Sequence, residues 1–261
     1  MKWPIGVLLA VLVLVLLAMW TGRARAAVDE RFEALEFKGE DGKTLLYRFV
    51  KPAGYDASGS EAHPLVIFLH GAGERGSDNS KQLVHGSDLM LTMAEKHGAF
   101  VLVPQCPGGE KWADVDWSAP THKMPEKPSS SMSLVMQLLG KLEKDFRIEA
   151  KRVYVMGLSM GGYGTWDALQ RYPKVFAAGV PICGGGDDSG AGQIKAAVWC
   201  FHGDKDGAVP VARSRNMVEA VKQAGGNVKY TEYPGCGHNS WSRAFAEPEL
   251  LEWLFAQKLG E

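Results

Sequence analysis

Cysteine is scarce in this chain, four in 261 residues, and Cys106, Cys183, Cys200 and Cys236 nowhere adopt the C-x-x-C spacing of zinc and redox sites. That absence excludes a metal-stapled or thioredoxin-like design. The four thiols leave two options open, pairing into disulfides or burial as free thiols. Basic runs are also missing: the formal net charge is −1, so nothing offers a surface for nucleic-acid phosphates, and nucleic acid is not an expected partner. No repeat, low-complexity tract or compositional shift interrupts the sequence. A hydrophobic content of 46% over this length suits one large α/β domain.

The N-terminus stands apart. Lys2 precedes a 16-residue apolar run, Ile5 to Trp20, and Ala24 and Ala26 supply the small residues of an A-x-A cleavage site. Residues 1–26 are therefore expected to be a signal peptide and residues 27–261 the folded domain. The alternative is an uncleaved membrane anchor. Cleavage removes Lys2, Arg23 and Arg25 and no acid, which takes the charge from −1 to −4. The expected product is exported, periplasmic or secreted, with no stable membrane association after cleavage.

"FEALEFKG" and "TLLYRFVKP" flank the turn "EDGK" and read as a hairpin. Six further apolar runs follow: "PLVIFLHG", "AFVLVPQ", "RVYVMGLS", "FAAGVPIC", "AVWCFHGD" and "VKYTEYPG". Most lack strict alternation, as strands buried on both faces do. Helical patterns stand between them, "MSLVMQLLGKLEKDF" with Leu134, Leu138 and Leu142 on one face, "ARSRNMVEAVKQAGG" ending on glycines, and a closing "PELLEWLFAQKL". The alternation predicts an eight-stranded, mostly parallel sheet with helices on both faces.

The stretch "YVMGLSMGGYGTWDAL" places Ser159 among Gly157, Gly161, Gly162 and Gly164, although glycine inside a helix costs about 1 kcal/mol relative to alanine. Gly157-Leu158-Ser159-Met160-Gly161 has the form of a nucleophile elbow, a serine on a sharp strand-to-helix turn whose neighbours leave no room for side chains. A serine hydroxyl needs a base, and the base an orienting carboxylate. In this architecture the chain order is serine, acid, histidine. The loop after the seventh strand offers Asp204 and Asp206. We take Asp206, deeper in the loop, as the acid and Asp204 as the brace of the turn. His238 in "YPGCGHNSW" is the histidine. Backbone N–H groups of Met160 and Ala72 are the candidate oxyanion donors. His70 and His202 read as structural histidines.

"FLHGAGERGSDN", "GLSMGGYGTWD", "VPICGGGD", "FHGDKDGAVP" and "YPGCGHNSW" resemble the α/β-hydrolase superfamily, and within it secreted bacterial esterases and predicted peptidases related to the phospholipase/carboxylesterase and dienelactone hydrolase groups. The resemblance extends over residues 30–258 and implies the α/β-hydrolase fold and a Ser159–His238–Asp206 triad. It departs from the dienelactone hydrolases in having serine where they use cysteine. It implies no cofactor and no metal.

Only "GGGDDSGAGQIK" separates the sixth and seventh strands, too little for a cap domain. The long irregular segment is 107–128 instead. Trp112 and Trp117 within it, and Trp241 beyond His238, either line a substrate wall or pin the loop to the core. Arg75 in "GERG" is expected to pair with Glu74 or another carboxylate, the alternative being that it meets an anionic group of the substrate. The expected activity is hydrolysis of carboxylic esters, short acyl groups favoured, on a small-molecule or carbohydrate-linked substrate. A serine peptidase of the same fold and a catalytically inactive binding module are the alternatives.

Overall fold

Eight strands form one sheet in the computed structural model, which describes residues 30–260. The expected signal peptide and its cleavage site lie outside the described residues. The chain divides into a unit ending at Glu33 and a unit Ala34–Glu261 that carries nearly everything below. The strands are β1 (Glu33–Lys38), β2 (Thr44–Val50), β3 (His63–Leu69), β4 (Phe100–Gln105), β5 (Ile148–Leu158), β6 (Ala178–Ile182), β7 (Ala197–Gly203) and β8 (Val228–Tyr233). Their order across the sheet is β1-β2-β4-β3-β5-β6-β7-β8. β2 runs antiparallel to β4, and every pair from β4 to β8 is parallel.

Burial follows that order. Every residue of β4, β6 and β7 is buried, whereas the edge strands β1 and β8 are largely exposed or half-buried. Interior strands covered on both faces tolerate continuous apolar runs, which explains their lack of alternation. β2 keeps the alternation, with Leu45, Tyr47 and Phe49 pointing into the core. The predicted hairpin turn closes on Gly42 (φ 81°), with Asp41 Oδ1 accepting the Lys43 N–H at 3.0 Å.

The helices are α1 (Ser87–Lys96), α2 (Ser130–Asp145), α3 (Met160–Arg171), α4 (Ala212–Gln223), α5 (Trp241–Phe245) and α6 (Leu250–Phe255). α2 begins where Ser129 Oγ accepts the Met132 N–H at 3.0 Å, and it buries Leu134, Leu138 and Leu142 as the spacing predicts. α3 is buried along almost its whole length, which is why its sequence shows no polar stripe. The closing helix is shorter than its pattern suggests, six residues.

The sheet reverses its winding direction at β3: β4 lies on one side of it and β5 on the other. In open α/β sheets a crevice opens at the carboxyl ends of the strands flanking such a point. Leu69 and Gly157 are paired across it, so the loop starting at His70 and the turn at Ser159 leave the sheet side by side.

Candidate active site

Ser159 has φ 53° and ψ −116°, a positive φ that a non-glycine residue adopts only when its surroundings impose it. The surroundings are backbone. A Cβ at Gly157 would stand 2.5 Å from the Gly161 carbonyl oxygen and 2.7 Å from that of Leu69, and one at Gly162 2.5 Å from the Ile182 oxygen. A Cβ at Gly161 would run into the Leu69 carbonyl, and one at Gly164 into Trp112. The four glycines let β3, β5, β6 and α3 approach to backbone contact, and the serine is held on the apex between them.

His238 reaches that apex from the loop after β8. Its Nε2 lies 2.9 Å from Ser159 Oγ and its Nδ1 2.7 Å from Asp206 Oδ2. The Asp206 side chain is fully buried, whereas that of His238 is 28% exposed, so the hydroxyl side of the chain is open to a ligand and the acid side is not. Asp206 also accepts the N–H groups of Ala208 (2.8 Å) and Val209 (2.9 Å) on Oδ1. Burial works to raise its pKa, but the hydrogen bonds from His202, His238, Val209 and Ala208 outweigh that and hold it well below the usual carboxylate range. Asp204 does something else. Its Oδ1 accepts the Gly235 N–H at 2.7 Å and braces the turn that delivers His238.

His202 contributes more than loop bracing. Fully buried, it places Nε2 3.2 Å from Asp206 Oδ2, the oxygen that also meets His238, and 3.0 Å from the Val209 carbonyl; Nδ1 lies 2.7 Å from Ser214 Oγ. The acid thus sits between two imidazoles. The sequence signal was the i, i+4 spacing of His202 and Asp206, which carries no meaning until the loop is seen to curl back.

The oxyanion side is built around His70. It is buried, receives the Cys106 N–H on Nε2 at 2.9 Å, and places Nδ1 2.6 Å from the Gly71 carbonyl. Accepting on Nε2 requires the neutral ring, and burial pushes its pKa down to about 4, in agreement. The Trp112 indole donates to the His70 carbonyl at 3.0 Å. These contacts bring Gly71 so close to the elbow that a Cβ there would stand 2.8 Å from Leu158 and 3.7 Å from Ser159 Cβ. Ala72 begins a 3₁₀ turn and Met160 begins α3, so both present N–H groups that first-turn geometry leaves without an intrahelical acceptor.

The three tryptophans separate. Trp112 is fully buried with its indole bound to His70, so it pins the loop and does not form a substrate wall, a correction to the expectation that it lines the cleft. Trp117 is half-buried, and Trp241 packs edge-on against the His238 ring at 5.4 Å between centroids. Arg75 also departs from expectation. It donates to the carbonyls of Ala72 (2.9 Å) and Glu110 (3.3 Å) rather than to a carboxylate, because Glu74 faces His85 at 3.6 Å. All four cysteines are free and buried.

Residues 55–249 match the family model of phospholipases and carboxylesterases. The chain belongs to the phospholipase/carboxylesterase family. A solved structure described as a thermostable esterase is 38% identical and superposes with a TM-score of 0.80 over 89% of this chain and 64% of its own. A probable SOBER1-like carboxylesterase of Arabidopsis thaliana is 27% identical over 210 residues, 75% of this chain and 79% of that protein. The bifunctional acetylxylan esterase/xylanase XynS20E of Neocallimastix patriciarum is 28% identical over 139 residues, 53% of this chain and 18% of that protein. The chain thus spans less than two thirds of the length of two of these three relatives.

Among the described residues, the group of metal-ligating atoms close enough to share an ion is Cys183, Asp206 and His238, within 4.8 Å of one another. It is a poor metal site in a phospholipase/carboxylesterase-family chain. Asp206 and His238 already bind each other, and burial holds the Cys183 thiol protonated by raising its pKa.

Proposed function

We propose that this chain is an exported carboxylesterase-type serine hydrolase that cleaves short-acyl esters through an acyl-enzyme on Ser159. The observation that carries the reading is the unbroken hydrogen-bond chain from Ser159 Oγ through His238 to Asp206 Oδ2. In the proposed cycle, His238 Nε2 takes the hydroxyl proton as Oγ attacks the ester carbonyl, and the Met160 and Ala72 N–H groups receive the oxyanion. The same nitrogen then gives that proton to the departing alcohol. Water, activated by His238, releases the acid and restores the serine. Asp206 keeps the ring oriented and stabilises the imidazolium. No step requires a cofactor or a metal.

Ester rather than amide substrates are favoured by the family and by the 38% identical esterase structure. Two peptidase structures, 16–17% identical, share the fold alone. A small-molecule or carbohydrate-linked ester is the proposed substrate, nucleic acid is not a partner, and export rests on the leader pattern of residues 1–26.

A fluorophosphonate probe tests the reading, since only an activated serine attacks such phosphorus centres readily at neutral pH. Labelling at Ser159, lost together with ester turnover in Ser159→Ala, is the expected result. Label at another residue, or none on folded protein, refutes it.

A further inference from the structure

Tyr163 stands one helical turn beyond Ser159, its N–H on the Ser159 carbonyl at 3.1 Å. Two basic side chains pack around its ring. The Arg213 guanidinium lies 5.5 Å from the ring centroid, and His122, from the 107–128 loop, 5.8 Å from it. Arg213 is only 4% exposed, yet among the described residues no carboxylate lies within 4.0 Å of it, and its Nε is buried without a hydrogen-bond partner. A guanidinium out of water normally has an anion beside it, because desolvating an unpaired charge is costly.

The acids nearby are engaged elsewhere. Asp206 serves the two histidines, and Asp187 holds Ser189 (2.6 Å), the Met124 N–H (2.9 Å) and Lys123 (3.7 Å). Asp187 and Asp188 act on His122 only through space, and more weakly than burial and the Arg213 charge. What Arg213 does meet is His122 Nδ1, through Nη2, and the hydroxyl of Tyr163. Guanidinium has no lone pair to offer, so Nδ1 accepts and the His122 proton sits on Nε2, aimed away from Arg213. Burial and the Arg213 charge hold this ring neutral, with a pKa of about 4. The cationic character continues along the wall. Trp117, whose carbonyl accepts the Tyr163 hydroxyl at 3.4 Å, has Lys111 4.7 Å and Arg75 5.9 Å from its ring. Neither of these has a carboxylate within 4.0 Å among the described residues. A donor N–H backed by buried positive charge, flanked by two more cations, in a chain whose net charge is negative, is complementary to an oxyanion.

We propose that this wall is a subsite for a carboxylate carried by the substrate, received by His122 Nε2–H with Arg213 behind it, so that the preferred esters are anionic. The proposal rests on the serine-esterase reading of Ser159. It names the substrate class of that site.

Two matched pairs of aryl esters test it. 4-Nitrophenyl hemisuccinate against 4-nitrophenyl butyrate places the charge on the acyl side; 4-carboxyphenyl butyrate against phenyl butyrate places it on the alcohol side. In one pair kcat/KM should favour the anionic member by about tenfold or more, the range of a hydrogen bond to a charged group, and added salt should shrink that preference. Arg213→Gln and His122→Ala should each bring the ratio toward one, and Arg213→Lys should retain part of it. A ratio of one or less in both pairs for the unmodified protein overturns the subsite while leaving the esterase reading intact. So does an unchanged ratio in Arg213→Gln that still melts cooperatively and still labels with fluorophosphonate. If Arg213→Gln does not fold, the salt dependence and the His122→Ala ratio decide. Failure of the unmodified protein both to label and to cleave either pair overturns the esterase reading and the subsite with it.

Discussion

Between Tyr154 and Leu169 the chain has four glycines, and a methyl group added to any of them would collide with backbone or with a core side chain. Between Pro107 and Pro128 it has two, Gly108 and Gly109; neither has an atom beyond its chain neighbours within 4 Å of where a Cβ would stand, and only Gly109, at φ 82°, needs glycine for its backbone. The first region is specified by contacts that only missing side chains permit. The second has no helix or strand and is held by a few long-range anchors: the Trp112 indole on the His70 carbonyl, Arg171 on the carbonyls of Pro125 and Glu126, and the Met124 N–H on Asp187. The part that would perform the chemistry is thus fixed by close packing, which tolerates little change. The part that would meet the substrate is suspended between fixed points, and its exposed residues can vary without disturbing the core. One scaffold can in this way keep its chemistry and change its substrates.

The largest effect should come from the fixed side. Asp206→Asn should lower kcat by about 10³–10⁴-fold with the fold intact, because the imidazole of His238 loses the acceptor that sets its tautomer and stabilises its charge. Asp204→Asn removes only a brace, so its loss should appear in melting temperature more than in kcat. Steady-state kinetics and thermal melts of both variants check this. Turnover lost in Asp204→Asn and kept in Asp206→Asn would reverse the assignment.

One substitution made in both regions measures the contrast directly. Gly161→Ala must push the Leu69 carbonyl away from α3, and overpacking of this kind costs about 1–3 kcal/mol or more. Gly108→Ala meets nothing and should stay within about 0.5 kcal/mol of the parent. Urea denaturation gives both values. Equal destabilisation would mean that the 107–128 loop is as closely packed as the elbow.

The same contrast explains which features could be read from the sequence. Interior strands announced themselves because burial on both faces leaves unbroken apolar runs, and β3, β4, β6 and β7 fall within one or two residues of where those runs lie. β5 starts earlier, at Ile148, because its first residues continue past the core with Glu149 half-buried and Ala150 and Lys151 exposed, and so look like a loop. The elbow was legible because its geometry demands glycine at fixed offsets from the serine. The loop gave no such signal. Nothing distinguishes Trp112 from Trp117 in sequence, yet one is sealed in the core and the other is half-buried at the wall. The contact of Arg213 with His122 joins residues 91 apart through irregular chain, and no periodicity encodes it. The anchoring of Arg75 to carbonyl oxygens was equally hidden, since the adjacent Glu74 offered the simpler partner and the fold gave Glu74 to His85.

The smallest effect belongs to the suspended side and concerns acyl length. Between β6 and β7 the chain forms only a 3₁₀ turn, Asp188–Gln193, so no cap supplies a dry channel for a long acyl chain. Each methylene contributes about 0.8 kcal/mol only where it leaves water. In an uncapped cleft the gain should end once the acyl group outgrows the cleft. For neutral aryl esters kcat/KM should peak between acetyl and butyryl and fall by hexanoyl to octanoyl. Trp117→Ala should flatten that profile by a few fold, since it removes half-buried apolar surface without touching Ser159, His238 or Asp206. A chain-length series kept below the micellar limit, run on the parent and on Trp117→Ala, separates this from its opposite. A continued rise toward decanoyl that vanishes in Trp117→Ala would show that the 107–128 loop closes over the acyl chain as a lid. The two regions would then differ in motion as well as in packing.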